Sequence, residues 1–494
     1  MEIETTVPQL RIRATNERQL QLDGQWVLYW MTAFRRVQYN FALQYARDVA
    51  KQLDRPLVIL EALRVRYQWA SDRFHRFVIE GMRDNAAACR SLDVLYYPYV
   101  EPQPGAGAGL VRRLAEEACL VVTDDYPCFF HPQMIRVVSR SLPARLEAVE
   151  SNCLMPLAAE ERTFTVAHSY RRFMQKTLPQ HLEYTPEPNP LDGRSTRSMP
   201  VCKRLPNDIT QAWPAADLGA LLSPGGLSAI PIDHGVGAGA VEGGCRAAEK
   251  LLAHFITRRL GSYDHDRNEP DEFGSSELSP HLHFGHISAH DVFDRVMQAE
   301  KWHPGKLLKP NGKVNGFWGV GENAEAFLDQ LCTWREIGFN MCWRQSNFDR
   351  FESLPEWALE TLQEHAQDER PQLYSLDEFE NAQTHDEIWN AAQRQLVCEG
   401  RIHNYMRMLW GKKILHWSRS PREALAIMLE LNNKYGLDGR DPNSYSGIFW
   451  VLGRYDRAWG PEREIFGKVR YMTSENTAKK HKLKKYLKRY SVES

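Results

Sequence analysis

The sequence lacks the features that would place the protein in a membrane or build it around a metal. No apolar run in its 494 residues approaches the length needed to cross a bilayer, and the first ten residues, MEIETTVPQL, have no signal-peptide pattern. The nine cysteines are scattered without a CxxC pair, which argues against a zinc site, an iron–sulfur cluster or a secreted disulfide framework. We therefore expect a cytoplasmic protein with no membrane association and no metal.

The chain also lacks an excess of charge of either sign. Its formal net charge is −1, so the whole molecule does not have the charge of a basic nucleic-acid-binding protein. Residues 479–489, KKHKLKKYLKR, are the exception, with seven Lys or Arg side chains and no acid. This run is either a solvated helical tail or a contact for DNA phosphates.

A nucleotide-binding fingerprint is missing from the first half, although that half has α/β character. No GxGxxG follows the first apolar run, so a dinucleotide need not bind there. Helical patterns alternate with short apolar runs, which favours a doubly wound parallel sheet. The runs that predict its strands are residues 27–31, 57–63, 94–100 and 120–124.

Composition divides the chain into two domains. Its length is too great for one compact domain, and 43% hydrophobic with 25% charged residues is typical of a globular protein. Residues 185–245 are rich in Pro, Gly and Ser, whereas long amphipathic patterns dominate from Cys245 onward. We predict an α/β domain over residues 1–184, an interdomain linker over 185–245 and an all-helical domain over 246–494.

Tryptophan is the residue type that is both abundant and informatively placed. Trp389, Trp410 and Trp417 lie within residues 381–417, interleaved with Asn, Asp and Arg, and a second dense segment follows at 431–460. Indole faces among polar residues indicate a buried aromatic redox cofactor and a stacked substrate. Core packing is the alternative, and it is the commoner fate of a buried Trp.

The same segments carry a specific resemblance, in order, across residues 263–472. The matching strings are RNEP (267–270), SSELSPHLHFG (275–285), LCTWREIGFN (331–340), WNAAQ (389–393), HNYMRMLWGKKIL (403–415), LNNKYGLDGRDPN (431–443), RAWG (457–460) and IFGKVRYM (465–472). They resemble the C-terminal half of class II cyclobutane pyrimidine dimer photolyases. The resemblance implies the photolyase/cryptochrome fold, FAD active in its reduced, anionic form, and light-driven electron transfer to a flipped-out dimer in ultraviolet-damaged double-stranded DNA.

By this resemblance, two sets of residues contact FAD. The run SELSP supplies a helix start whose free backbone N–H groups suit a pyrophosphate. His281 and His283 stand at i,i+2, which does not place them on one helical face, and we reject a metal site. Arg407 and Asp438 are expected as an ion pair beside the flavin ring, and Asn432 as a donor facing flavin N5. The further cofactor candidates are Tyr263, Arg267, Ser276, Leu278, Ser279, Leu282 and Asp441.

The remaining aromatic and basic residues divide between electron transfer and lesion binding. Trp410 resembles the tryptophan nearest the flavin, Trp389 lies further out, and either Trp417 or Tyr374 is a candidate further station. Gln330 stands where the family commonly has Glu, and an amide can donate to a thymine carbonyl but cannot pass a proton. The candidates for the lesion pocket and its DNA supports are Trp334, Trp450, Arg457 and Arg470.

Other functions remain open, and so does a second chromophore. A cryptochrome-like photoreceptor would keep the flavin and the Trp chain without repair, and a light-independent DNA-binding or structural flavoprotein would bind damage without turnover. A (6-4) photolyase is disfavoured, because its pocket would be expected to carry a catalytic histidine and His403 lies in the flavin-side segment. An antenna chromophore, deazaflavin or folate, is compatible with the family resemblance. We expect a monomer whose partner is DNA.

Overall fold

The structure, a computed structural model, describes residues 3–192 and 199–492. The chain falls into two compact units. Unit 1 comprises Met1–Glu160, Thr177–Ala253 and Leu278–Gln298, and unit 2 comprises Glu161–Lys176, His254–Glu277 and Ala299–Ser494. Each unit therefore joins segments that are distant in sequence.

Unit 1 is built on a mostly parallel sheet. The strands are β1 (Ile12–Ala14), β2 (Trp26–Met31), β3 (Leu57–Leu63), β4 (Leu95–Val100), β5 (Ala118–Asp124) and β6 (Leu146–Val149). They lie in the order β1-β6-β5-β2-β3-β4, with β1 antiparallel to β6 and the other neighbours parallel. Because the chain winds outward from β2 in both directions, this is a doubly wound fold.

The four apolar runs of the first half all form strands, and β3 has the bounds that its run predicts. Every residue of β2 and of β5 is buried, which explains why these strands read as continuous apolar runs instead of alternating patterns. The sequence did not predict β1 or β6, because both are short and carry charged residues such as Arg13 and Glu147.

Helices make up the rest of the described regular structure. Helices of π type span Phe255–Arg259 and Asp329–Trp334. Short 3₁₀ segments span Gln9–Arg11, Leu157–Ala159, Leu178–His181, Leu260–Ser262, Pro304–Lys306 and Phe351–Ser353. The α-helices are α1 (Phe41–Leu53), α2 (Asp72–Cys89), α3 (Leu110–Glu116), α4 (His131–Ser141), α5 (Ala167–Thr177), α6 (Asn207–Ala212), α7 (Leu218–Leu222), α8 (Cys245–His254), α9 (Tyr263–Asp266), α10 (Ser279–His283), α11 (Ala289–Ala299), α12 (Glu322–Leu328), α13 (Arg335–Arg344), α14 (Glu356–Glu364), α15 (Leu376–Glu380), α16 (Glu387–Glu399), α17 (Asn404–Trp417), α18 (Pro421–Tyr435), α19 (Pro442–Val451), α20 (Ser474–Lys480) and α21 (Lys484–Arg489). Among the described residues, none of the helices is both long and apolar enough to cross a membrane.

Most of the predicted linker, residues 185–245, is packed onto unit 1 and is not a flexible connection. Residues 193–198 lie outside the described part of the chain, but the remainder belongs to unit 1 and includes α6 and α7. Leu205 and Ile209 join the core on one side of the sheet, and Leu227 and Ile230 join a second apolar cluster. Pro and Gly punctuate this segment, while its scattered large apolar residues dock it onto unit 1.

A buried carboxylate organises the loop that follows β2. Oδ2 of Asp124, at the end of β5, accepts hydrogen bonds from the backbone N–H groups of residues 32–34 at 2.7–2.8 Å. Its Oδ1 accepts from the hydroxyl of Tyr29 at 2.6 Å, and Asn40 donates to that hydroxyl at 3.0 Å while capping α1. One side chain thus ties two strands, a loop and a helix start.

We predict that Asp124→Ala lowers the free energy of unfolding by about 3 kcal/mol or more, because it leaves three buried backbone donors without an acceptor. Urea unfolding followed by circular dichroism measures the loss. Asp125→Ala is the control: its carboxylate pairs with a half-exposed Arg13, so we expect a loss of about 1 kcal/mol or less. Equal losses in the two variants would contradict this account of Asp124.

Candidate functional site

Two tryptophans join α16 to α17 through a pair of hydrogen bonds. The indole Nε1 of Trp389 donates to the backbone carbonyl of Trp410 at 3.0 Å. The indole Nε1 of Trp410 donates back to Oε1 of Gln393 at 2.9 Å. Both rings are almost completely buried, so both N–H groups need such acceptors.

An aromatic path continues from this pair towards solvent. The rings of Trp389 and Trp417 have centroids 6.1 Å apart, and those of Trp417 and Tyr374 are 5.6 Å apart, both in edge-to-face geometry. Tyr374 is half-buried, and its hydroxyl lies 2.6 Å from Nδ1 of His385. The structure therefore brings together the four aromatic residues that the sequence analysis assigned to electron transfer. They form a path with one half-exposed end, at Tyr374.

A second cluster contains the residues expected beside a flavin ring. Nη2 of Arg407 lies 3.0 Å from both carboxylate oxygens of Asp438. Asn432 and Asn433 are buried, and the amide nitrogen of Asn432 donates to Ser444 Oγ at 2.8 Å and to Asn433 Oδ1 at 3.2 Å. Within the described residues, Oδ1 of Asn432 and Nδ2 of Asn433 have no hydrogen-bond partner. The free atom of Asn432 is thus an acceptor, whereas the sequence suggested a donor.

Asp441 has a structural use of its own. Its carboxylate accepts from the backbone N–H of Asn443 at 2.8 Å and caps the start of α19. Arg440 just before it has a φ of 63°, in the left-handed region, and its backbone N–H donates to Asn433 Oδ1 at 2.9 Å. This turn holds the asparagine pair in place.

The segment expected to bind cofactor phosphates is divided between the two units. In unit 2, Tyr263 is buried against Phe255 and Phe327, and the Arg267 guanidinium carbon lies 5.7 Å from the Tyr263 ring centroid. Within the described residues, the buried Nε of Arg267 has no hydrogen-bond partner. The remaining candidates are the half-buried Ser276, and in unit 1 the buried Leu278, exposed Ser279 and half-buried Leu282.

A strained residue stands at the boundary of this segment. Glu277 has a φ of 59°, which a residue with a Cβ rarely adopts. Its carboxylate pairs with Arg259 at 3.0 Å and also with Arg401. In α10, which follows, Pro280 lies in the first turn as predicted, but no side chain caps the helix.

Gln330 and Trp334 lie in the π-helical segment Asp329–Trp334. Both are half-buried, while Leu331, Cys332 and Thr333 between them are buried. A π-helical turn widens the spacing of side chains and is frequent at functional sites. The amide of Gln330 and the indole of Trp334 are therefore the partly exposed side chains of this segment.

Aromatic and basic side chains alternate in space as well as in sequence near the C-terminus. The Arg470 guanidinium carbon lies 4.1 Å from the Trp459 ring centroid and 5.4 Å from that of Trp450. Asp456 accepts from Nε of Arg470 at 3.0 Å and from the Trp459 indole at 3.1 Å, which depresses the pKa of its carboxyl despite the opposing effect of burial. Arg457 stacks over Trp459 at 4.6 Å. This surface joins stacking faces to cations.

The chain is similar over nearly its whole length to proteins named deoxyribodipyrimidine photo-lyase. That of Methanothermobacter thermautotrophicus is 32% identical over 491 residues and 97% of each chain. That of Oryza sativa subsp. japonica is 33% identical over 94% of this chain and 87% of its own, and that of Potorous tridactylus is 31% identical over 96% and 82%. The chain belongs to the deoxyribodipyrimidine photo-lyase family.

The photolyase fold is supported separately by a solved structure. A bacterial class III photolyase from Agrobacterium tumefaciens matches with a TM-score of 0.66 over 95% of this chain and 87% of that chain. At 16% identity this likeness shows the fold alone. The predicted fold class, a doubly wound α/β part and a helical part, is confirmed. No family model matches the chain.

In this photolyase, the basic segment 479–489 is folded onto unit 2. The ring nitrogen Nδ1 of His481 lies 2.9 Å from Glu269, and Asp271 accepts from the backbone N–H of Tyr486 at 2.8 Å. Tyr486 is buried, and its hydroxyl donates to Gln395 at 2.8 Å. The segment is therefore docked helix instead of a free tail, although all six of its lysines remain exposed.

Sequence reasoning missed Lys412, which is buried within α17. Its Nζ donates to the backbone carbonyl of Val451 at 2.5 Å and lies 5.2 Å from the Trp450 ring centroid. The pKa of Lys412 is lowered to about 7, mainly by burial; Asp456 opposes this shift and Arg470 adds to it. The sequence did contain a signal for the burial of Lys412. Apolar or aromatic residues lie on every side of α17, and this pattern predicts that the whole helix is buried together with its lysines.

We predict that Lys412→Met raises the midpoint of thermal unfolding, because methionine fills a similar volume and removes a charge from an apolar site. The pKa of Lys412 is lowered on folding from 10.5 to about 7, so the unfolded state binds the proton more tightly. The penalty on wild-type stability is therefore complete below about pH 7 and disappears as the pH rises towards 10.5. The stabilisation by Lys412→Met should shrink over the same range.

Lys413→Met is the matched control for this measurement. Nζ of Lys413 lies 3.3 Å from Asp386, and both side chains are largely buried. Removing one partner of such a pair leaves an uncompensated charge and destabilises the protein. We expect the two neighbouring substitutions to have opposite signs, and a loss of stability in Lys412→Met would contradict the stated effect of burial.

Proposed function

We propose that this photolyase is a class II enzyme that repairs cyclobutane pyrimidine dimers in DNA in a light-dependent reaction with FAD. The observation that carries the proposal is that unit 2 holds both a buried aromatic path and a surface on which indoles alternate with arginines. The first suits electron transfer and the second suits a flipped-out base with its phosphates. Relatives named deoxyribodipyrimidine photo-lyase support the same reaction class.

The residues around Asn432 fit a flavin ring. A flavin edge carries ring N–H groups and carbonyl oxygens. The structure offers a buried acceptor on Asn432 and a buried donor on Asn433, neither with a hydrogen-bond partner in the described part of the chain. Arg407, held by Asp438, adds a cation with defined orientation. When bound, the reduced cofactor supplies the light-driven transfer of one electron to the dimer. Arg407, Asn432 and Asn433 would bind and orient it, with Asn432 Oδ1 as an acceptor for a ring N–H.

The adenosine and phosphate part of the cofactor is assigned to Tyr263, Arg267 and Ser276 of unit 2. In unit 2, the unsatisfied Nε of Arg267 is a donor for a phosphate oxygen, and Ser276 adds a half-buried hydroxyl. In unit 1, we retain Leu278, Ser279 and Leu282 as contacts on the strength of the family resemblance. Asp441 is retained as a cofactor contact, although its carboxylate also caps α19.

The lesion is assigned to two indoles and an amide. Trp334 and Trp450 are half-buried and have faces for stacking, and Gln330 can donate to a thymine carbonyl. Arg457 and Arg470 are placed to neutralise phosphates, and their contacts with Trp459 restrict their orientations.

A second chromophore, deazaflavin or folate, would bind unit 1 at the carboxyl ends of β3 and β5. The loops that follow these strands carry half-buried aromatic residues on either side of β2, where the winding direction reverses. Trp69 and Phe129 stack with ring centroids 6.1 Å apart, and Tyr67 and Phe130 are 5.9 Å apart. Such faces suit a planar heterocycle.

A cryptochrome-like photoreceptor without repair activity is the second candidate. Gln330 favours it, because an amide cannot exchange a proton with the reduced lesion as an acid can. The half-buried Trp450 and the neighbouring arginines favour repair, because a photoreceptor has no need of them.

We predict that Trp410→Phe slows photoreduction of bound flavin yet leaves repair by the pre-reduced enzyme within about twofold of wild type. Phenylalanine keeps an aromatic ring but removes the easily oxidised indole, which is required only to restore the reduced cofactor. Trp26→Phe is the control, because Trp26 is also buried and donates its indole N–H to a backbone carbonyl, but it lies in unit 1. If repair by pre-reduced Trp410→Phe collapses, the assigned role is wrong.

The proposed reaction itself is tested with an oligonucleotide that carries a single thymine dimer. We expect the pre-reduced protein to remove the dimer over several turnovers in blue light and not in darkness. The dark sample and an undamaged oligonucleotide are the controls. Dimer binding without loss of the dimer in light, with reduced flavin bound, would assign the protein to the photoreceptor class.

A further inference from the structure

Lys412 contacts both the C-terminal end of α19 and the indole of Trp450, which belongs to the same helix. Trp450 and Val451 are the last two residues of α19, and the carbonyl of Val451 lies where a helix leaves its acceptors without intrahelical donors. The Lys412 ammonium donates to this carbonyl and lies 5.2 Å from the centroid of the Trp450 ring. One cation therefore restrains both the backbone and the ring of the same turn.

The two cations near Trp450 differ in how they are neutralised. Arg470 is paired with Asp456 and is partly exposed. Lys412 is fully buried, and among the described residues no carboxylate lies within 4.0 Å of its ammonium. Asp456 attracts this charge without forming an ion pair with it. A buried ammonium without an ion-pair partner destabilises the fold, so the packing of α17 does not account for it.

The adjacent lysine provides an internal comparison. Lys413 is also largely buried and lies 5.0 Å from the Trp417 ring centroid, but Asp386 pairs with it at 3.3 Å. Its charge is explained by that ion pair. The charge of Lys412 is directed instead at the carbonyl of Val451 and at the ring of Trp450. Trp450 as a whole is half-buried.

We propose that Lys412 is a positioning residue for lesion recognition, because its ammonium fixes the ring of Trp450 in the orientation that stacks on a flipped-out pyrimidine dimer. This inference rests on the proposed function, which makes Trp450 a wall of the lesion pocket. A ring that is already fixed loses little conformational freedom on binding, so the stacking contact contributes more of its energy to affinity. The attraction between a desolvated ammonium and an indole face supplies the restraint.

The test is binding in darkness, at fixed salt and slightly acid pH, where the ammonium form predominates. Affinities are measured for an oligonucleotide with one thymine dimer and for the same oligonucleotide without it. We expect Lys412→Met to reduce affinity for the dimer by about 2- to 30-fold, the range that corresponds to a cation–π contact. Affinity for undamaged DNA should not change, because Arg457 and Arg470 still contact phosphates.

Three further variants make the result decisive. Lys413→Met should leave the ratio of the two affinities unchanged. Lys412→Gln removes the charge but keeps a donor towards Val451, and it replaces the methionine variant if that one does not fold. Trp450→Ala should lower the ratio of affinity for the dimer to affinity for undamaged DNA. If it does and the Lys412 variant leaves that ratio unchanged, the inference is wrong. A ratio unchanged in Trp450→Ala itself overturns the proposed lesion pocket.

Discussion

The site in unit 2 depends on the requirement that a buried indole N–H must find an acceptor. Trp389 finds it in the backbone of α17, and Trp410 finds it in Gln393 of α16. Because these bonds run in both directions between the same two helices, they fix the rotation and the height of α17. The other functional side chains of α17 follow from that placement. Arg407 faces its carboxylate partner from one turn, and Lys412 reaches the end of α19 from another.

The sequence predicted those parts of the fold whose burial is uniform along an element. Residues 57–63 form β3 with the predicted bounds, because a strand covered on both faces is mostly apolar. Its one charged residue, Glu61, is paired with Arg35. Short strands that contain charged residues give a weaker signal, so β1 with Arg13 and β6 with Glu147, of three and four residues, were not predicted. The segment predicted as a linker, residues 185–245, is instead largely part of unit 1, for a related reason. A few apolar residues, Leu205 and Ile209 among them, are enough to dock a segment whose composition otherwise indicates a loop.

The residue types of the site were predictable, but their hydrogen-bonding states were not. Arg407 and Asp438 are paired as expected from their motifs. The amide of Asn432 presents an acceptor, because Ser444 and Asn433 already use its donor. One of these acceptors, Ser444, lies twelve residues away in sequence, so no local pattern records which atom of the amide stays free. Lys412 was missed for a similar reason, since a lysine is normally solvated and only the packing around α17 shows otherwise.

The buried polar groups of the candidate site differ in hydrogen bonding from the buried carboxylate of Asp124. In unit 1, both oxygens of Asp124 have donors, so its burial strengthens the fold. In unit 2, the free atoms of Asn432 and Asn433 and the unpaired charge of Lys412 all reduce stability. Apolar residues of the same size would fold more stably, so these positions are explained by what they bind. A ligand that supplies the missing partners to the folded state alone stabilises that state in proportion to its own affinity. The stability that these polar groups cost is therefore offset when a group that supplies their missing partners binds.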